Sequence, residues 1–180
     1  MNDTALTTLL GPGASSGAWA LDPERSHLGF RSASGWGLIK VKGQFSAASG
    51  QLTVADDGST SGEVVIDAAS VATGIKKRDK HLRSKDILAV EDHPTIVYTV
   101  NDVVAGKGSE ARVSGTLEVA GTTQPLDLDV RVSESDDAGV TIATETEIDR
   151  SLWGVDFKKL GMTRMSTPIE LVARFQRPAV

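Results

Sequence analysis

From Trp19 onward, apolar and polar residues change places every second position in one short segment after another. A period of two marks a β-strand with one buried face, because successive side chains point to opposite sides of the pleat. The plainest case is Leu38 to Ser46, where Ile39, Val41, Gly43 and Phe45 share one side and Lys40, Lys42 and Gln44 the other. Ala111 to Ala120 sets Val113, Gly115, Leu117 and Val119 against Arg112, Ser114, Thr116 and Glu118. After a turn at Gly121 to Gln124, Pro125 to Val132 answers with Leu126, Leu128, Val130 and Val132. So short a connection predicts an antiparallel hairpin. The same reading covers Trp19–Asp22, His27–Ser32, Gln51–Val54, Glu63–Asp67, Thr95–Val100, Val140–Asp149 and Ile169–Phe175, which makes roughly ten strand segments.

So many one-sided strands at hairpin spacing predict an all-β fold. A closed antiparallel barrel is favoured because closure removes the exposed edges a long sheet would present; a two-sheet sandwich is the alternative. Gly74 to Asp92 breaks the alternation, with Ile75, Leu82, Ile87, Leu88 and Val90 scattered among many charges. This predicts one helix, ended before Pro94.

A chain of 180 residues fits one domain large enough to bury a substantial core. The expectation is a flexible tail over residues 1–16 and a single domain over 17–180, since Gly11 to Gly17 is rich in Gly, Ser and Pro. The stretch before Gly17 has no Lys or Arg and offers only Leu6, Leu9 and Leu10 as a leucine core, which is not the pattern of a secretory signal. Residence in the cytoplasm is therefore expected. No apolar run approaches the ~18 residues of a membrane-spanning helix, so membrane insertion is not expected. With 19 basic against 24 acidic residues, a net charge of −5, nucleic acid is a poor partner.

The chain has no cysteine, which excludes a disulfide framework, a thiol nucleophile and cysteine-based metal sites. Its three histidines, His27, His81 and His93, follow no metal-ligand spacing, so no metal or other cofactor is expected. There is no Gly-x-Ser-x-Gly elbow and no phosphate-cradling glycine loop, and a catalytic role is not expected. Between Ile75 and Asp86 the basic residues Lys76, Lys77, Arg78, Lys80, Arg83 and Lys85 outnumber Asp79 and Asp86, reversing the sign of the whole chain. A solvated helix face is one reading of that run, and a trap for an anionic head group is the other.

Several of these stretches resemble one family. Asp22-Pro-Glu-Arg-Ser-His-Leu-Gly-Phe30, Gly43-Gln-Phe45, Gly50-Gln-Leu52 and Ile66-Asp-Ala-Ala-Ser-Val-Ala-Thr-Gly74 resemble the opening half of the YceI-like family of lipocalin-like, polyisoprenoid-binding proteins. The most specific match is Arg78-Asp-Lys-His-Leu-Arg-Ser-Lys-Asp86 followed by His93-Pro94-Thr95-Ile96. Gly115 to Pro125 and Ile148-Asp-Arg-Ser-Leu-Trp-Gly154 continue it, so the resemblance runs from about residue 19 to 176. Three departures stand out: Arg31-Ser-Ala-Ser-Gly-Trp36 lacks a histidine often found there, Ile87-Leu88 replaces an aromatic pair, and Trp153 stands where a Phe is usual.

The resemblance implies an eight-stranded antiparallel barrel with a helical insertion and an elongated apolar lumen that holds an isoprenoid lipid or quinone, in a homodimer. The residues expected to face the ligand are Phe30, Ile39, Val41, Phe45, Ile66, Leu82, Ile87, Leu117, Leu128 and Ile142, with Trp153, Phe157 and Met162 from the irregular stretch before the last strand. Arg78, Lys80 and Arg83 are the head-group candidates. A barrel filled by its own side chains, working as a dimeric interaction module, is the competing expectation.

Overall fold

A computed structural model describes residues 16–34, 39–46, 48–134, 139–155 and 166–178. Its strands are β1 (Gly17–Leu21), β2 (His27–Ser34), β3 (Ile39–Phe45), β4 (Ala48–Val54), β5 (Thr60–Asp67), β6 (Thr95–Ala105), β7 (Glu110–Val119), β8 (Thr122–Pro125), β9 (Leu128–Glu134), β10 (Val140–Asp149) and β11 (Ser166–Gln176), with one α-helix, α1 (Lys76–Arg83). All the strand pairings are antiparallel.

Eleven segments make eight strands, because three of the eight are bent runs interrupted partway. β1 and β2 both lie against β11, at Leu21↔Phe175 and Leu28↔Leu171. β4 pairs β1 while β3 pairs β2, and β8 and β9 share β7. Counted as runs, the order is β1/β2, β3/β4, β5, β6, β7, β8/β9, β10, β11, and β11 returns to β1/β2. This is a closed antiparallel barrel, as the alternation predicts, with the eight strands that the resemblance implies, and not a sandwich.

Each interruption is tied down by specific bonds, which its residues explain. In the first, Asp22 caps a 3₁₀ turn at Pro23–Arg25, its Oδ1 accepting from Glu24 N at 3.0 Å. Asp22 N donates to Arg174 O (2.8 Å), Arg174 N donates to Ser26 Oγ (3.0 Å), and Ser26 Oγ donates to Asp22 O (2.6 Å). These bonds satisfy backbone groups that the interrupted ladder leaves unpaired. At the second, Gln44 and Ala72 exchange both backbone bonds at 2.9 Å, and Ser70 Oγ accepts from Ser46 N at 3.1 Å. At the third, Leu126 N donates to Gly115 O (2.9 Å) and Tyr98 Oη to Leu126 O (2.9 Å). Position 115 has to be glycine, because a Cβ there would run into Thr99 O and lie 2.7 Å from Tyr98 Oη.

Two expectations need correction. Gly121 to Gln124 is not all turn: Ala120 and Gly121 alone reverse the chain, at φ of 48° and 78°, and Thr122 already pairs Val119. Two successive positive φ values match a tight primed hairpin turn, whose twist suits the flanking strands. The helix does not run from Gly74 to Asp92. It stops at Arg83 because Ser84 adopts an extended conformation and bonds back through both its N–H (3.1 Å) and its Oγ (2.6 Å) to His81 O. Turns then follow, with Ala89 N donating to Ser84 O at 2.8 Å and Ala89 itself at φ 48°, and they bury Ile87 and Leu88 together.

Candidate functional site

Alternation aims one residue in two at the barrel axis, and these inward residues form the core. They do not fill it evenly. Toward the open ends of β1 and β11, Trp19, Leu52, Val54, Val132, Val140, Ala173 and Phe175 are all at most 3% exposed and packed together. Toward the other end lies an apolar cavity of about 160 Å³. Its wall comes from Leu28 and Phe30 on β2, Phe45 on β3, Val64 and Ile66 on β5, Ile96 and Tyr98 on β6, Leu117 and Val119 on β7 and Leu128 on β9. Thr144, Thr146 and Ile148 on β10 and Thr167, Ile169 and Leu171 on β11 complete it.

The roof is α1 with the turns after it, joined by the 3₁₀ corner at Arg150–Trp153. Leu82 and Leu88 drop from the first into the cavity, and Trp153 and Val155 from the second. The helix has no side-chain cap of its own at Ile75. Instead the buried Asp79 carboxylate reaches back across the first turn, accepting from Thr73 N (2.8 Å) and Thr73 Oγ1 (2.6 Å). Arg83 fastens the far end, with Nε donating to Ala69 O and Nη2 to Val71 O, both at 2.7 Å. In the Arg78 to Asp86 run, then, Asp79 and Arg83 hold the roof down, Leu82 plugs the lumen and Ser84 ends the helix.

Polar groups around the cavity are turned into its wall. Thr144 Oγ1 donates to Asp129 O (2.7 Å), Trp153 Nε1 to Leu117 O (2.8 Å), Tyr98 Oη to Leu126 O, and Arg150 Nε to Thr167 Oγ1 (2.5 Å). Burial, followed by the nearby Asp127 charge, pushes the Tyr98 phenol up to about 12, so it is neutral at ordinary pH. At the 3₁₀ corner, Ser151 N and Oγ both donate to Asp149 Oδ1 and hold that carboxyl below its usual value. What faces the void is carbon.

Of the residues expected from sequence, Phe30, Phe45, Ile66, Leu82, Leu117, Leu128 and Trp153 line this cavity. Phe30 and Phe45 face each other with ring centroids 5.8 Å apart and planes at 49°. Val41 and Ile87 are buried outside its lining, and Ile142 is half-buried one inward position below Thr144. Ile39 falls within β3, its side chain outside the described part, and Phe157 and Met162 lie outside the described residues. Arg78, Lys80 and Arg83 line no part of the cavity. Lys80 is exposed, Arg78 is half-buried and Arg83 is engaged with the two carbonyls above. Sequence reasoning passed over Val64, Ile96, Val119, Ile169 and Leu171, which carry the same alternation in strands it had recognised. Nothing in a pattern of two marks Arg150 or Val155.

A second, wider depression of about 920 Å³ runs over β10, β11, β2 and β3 and the Ala72–Gly74 linker. The strand faces carrying Arg31, Lys42, Gln44, Glu145, Glu147 and Glu170 point away from the lumen, and Arg31 pairs with Glu170 at 3.3 Å. It is open to water and of mixed charge, and Phe30, Thr146 and Ile169 line both it and the lumen. Among the described residues no three His, Asp or Glu side chains converge as a metal site would require, and no helix is long and apolar enough to cross a membrane.

A closed meander of eight strands, hollow beneath a helical roof, defines a lipocalin-like barrel. The chain belongs to the YceI-like domain family, whose match covers residues 19–176. It is similar to a UPF0312 protein of Pectobacterium atrosepticum, with 37% identity over 75 residues, and to protein YceI of Escherichia coli O157:H7, with 36% over 75. Each stretch is 41% of this chain and 38% or 39% of the relative, so the chain spans about two fifths of the length of the curated relatives it matches. Among solved structures, Burkholderia cenocepacia BcnA superposes with a TM-score of 0.75 at 19% identity, over 86% of this chain and 98% of that one. A domain from Saccharophagus degradans, described as polyisoprenoid-binding and implicated in plant cell wall breakdown, gives 0.74 at 19% identity, over 89% and 98%. At these identities the likeness is one of fold.

Proposed function

We propose that this protein is a non-enzymatic binder of an isoprenoid lipid, whose chain enters the hollow half of the barrel beneath α1. The observation that carries this reading is the cavity itself, a carbon-walled space whose neighbouring polar groups are bonded into the wall. Such a surface favours hydrocarbon by ~0.8 kcal/mol per buried methylene and needs no catalytic group. The description of the Saccharophagus degradans domain supports the choice of an isoprenoid over other apolar ligands. A quinone or polyprenyl head would remain outside, since the lumen offers it no polar partner. Cytoplasmic residence and a homodimer belong to the same reading, and cell fractionation and light scattering test them.

Organic extraction of the purified protein followed by mass spectrometry tests the central claim. A prenyl lipid at near one per chain supports it, and a lipid-free protein that takes up none on incubation sinks it. One observation favours a second reading. The cavity, about 160 Å³, is smaller than the ~300–1,000 Å³ of ordinary ligand pockets. Under that reading the barrel is a filled scaffold and a dimer surface carries the function, so an empty, stable dimer would be recovered.

A further inference from the structure

The barrel accounts for only part of the basic run on α1. Arg83 holds two carbonyls and Asp79 holds Thr73, but Lys76, Lys77 and Lys80 are exposed and line no part of the cavity. With 3.6 residues per turn these lysines fall within an arc of about 100°, on the side away from the buried Asp79 and Leu82. Among the described residues no ion pair involves any of them or the half-buried Arg78. Lys76 and Lys80 stand one turn apart, where like charges repel. The exposed acids of the roof, Asp86, Glu91 and Asp92, lie in the turns after the helix, and Asp92 pairs with Lys85 at 3.7 Å.

At the same end of the barrel two apolar side chains are left in water. Ile75, immediately before α1, is 49% exposed, and Leu152, in the 3₁₀ corner of the roof, is 54% exposed. Of the large hydrophobic side chains exposed among the described residues, only Val104 lies elsewhere, near the far end of β6. We propose that the roof is a docking surface for the headgroup region of an anionic lipid bilayer. The lysines supply the attraction, and Ile75 and Leu152 a shallow apolar contact. The charge of the whole chain, −5, sets the orientation, because an anionic surface repels the rest of the molecule and attracts this face. A phosphate polymer would satisfy the lysines but give the two apolar side chains nothing to enter. Docking also brings the opening of the lumen close to the bilayer. Phe30, Thr146 and Ile169 join the lumen to the wider depression, which reaches Gly74, the residue before Ile75.

Vesicle flotation tests the proposal. The protein is expected to float with vesicles of phosphatidylcholine carrying about one third phosphatidylglycerol, not with phosphatidylcholine alone, and to lose binding as salt rises past about 0.15 M. Lys76→Gln with Lys80→Gln is expected to weaken binding about thirtyfold. Lys107→Glu, in the exposed turn between β6 and β7 at the opposite end, removes the same two units of charge. It is expected to change binding by less than about threefold. Ile75→Ser with Leu152→Ser is expected to weaken binding about tenfold while the salt dependence stays. All five positions are at the surface, so circular dichroism is expected to be unchanged throughout.

Failure to float with the mixed vesicles overturns the proposal, and so does equal flotation with both kinds. Equal losses from Lys107→Glu and from the lysine pair would mean that net charge is read and not the roof. Heparin binding as tight as vesicle binding, with no loss from the two serine substitutions, would make the face a polyanion site and overturn the bilayer. The lipid-binding reading fails separately. A docked protein that yields no prenyl lipid and takes none up keeps the proposal and loses that reading, and a lipid-loaded protein that floats with neither vesicle does the reverse.

Discussion

The two halves of the barrel are made from the same strands with the same alternation, yet one is solid and the other hollow. Away from the roof, Trp19, Phe175, Val54, Val132 and Val140 belong to one core cluster, and these five side chains are 2% exposed or less. Under the roof, the inward positions are mostly aliphatic and the large side chains are drawn aside. Tyr98 leans onto Gly115 to reach the β8/β9 bend, Trp153 bonds to the β7 backbone, and Phe30 lies over Gly43. Where an aromatic ring reaches the axis the tube closes. Where it is bonded or packed sideways a void remains. Alternation decides which residues point inward; the wall's hydrogen bonds and glycines decide whether they meet.

The largest test of this contrast is truncation. Trp19→Ala is expected to cost ~3–5 kcal/mol in chemical denaturation, because the dense floor cannot collapse around the hole. Leu117→Ala, already bordering a void, is expected near the bottom of the ~2–5 kcal/mol range for buried leucines. Equal losses would dissolve the distinction between the halves. Overfilling should reverse the order: Val132→Phe is expected to destabilise by ~1–3 kcal/mol while Val64→Phe leaves the melting temperature unchanged or raised.

The roof gives a smaller effect. Asp79→Asn weakens the bonds from Thr73 N and Oγ1, at an expected cost of ~1–2 kcal/mol. Amide exchange should quicken over residues 75–92 but not in β1 or β11, and uniform acceleration would mean that roof and barrel open as one.

The last test is titration. Burial holds the Tyr98 phenol at about 12 when folded, against 10.0 for an ordinary phenol. The proton is lost sooner from the unfolded chain, so stability is complete below pH 10 and falls between pH 10 and 12, by at most ~1.4 kcal/mol per pH unit. Tyr98→Phe should flatten that segment of the pH profile.

The barrel was legible in the sequence because its signal is local. Lys40, Lys42 and Gln44 against Val41, Gly43 and Phe45 fix a face without reference to anything distant, and hairpin spacing fixes the neighbours. The three bends were not legible. Pro125 to Val132 keeps its alternation straight through the break at Leu126, and only the partner carbonyl of Gly115 reveals it. The extent of α1 was misjudged because Ser84 looks like any helix-surface serine until its hydroxyl folds back on His81 O. For the cavity, direction was readable and depth was not. Ile142 and Leu128 read alike in sequence, yet only Leu128 borders the cavity, because Ile142 stands one inward position below Thr144, deeper than the cavity reaches.

The stitched bend at Asp22–Ser26 has a mechanical consequence. β1 and β11 bring the two ends of the described barrel side by side, with Ala20 opposite Gln176 and Leu21 opposite Phe175. The strands are antiparallel, so a force applied at both ends of the barrel peels this seam open one rung at a time instead of shearing many bonds together. Two rungs yield first, and the load then falls on Asp22 N, Ser26 Oγ and the two backbone groups of Arg174 before it reaches β2. Pulled this way, the tube should open as a zip does, and that cluster is the stop at its first tooth.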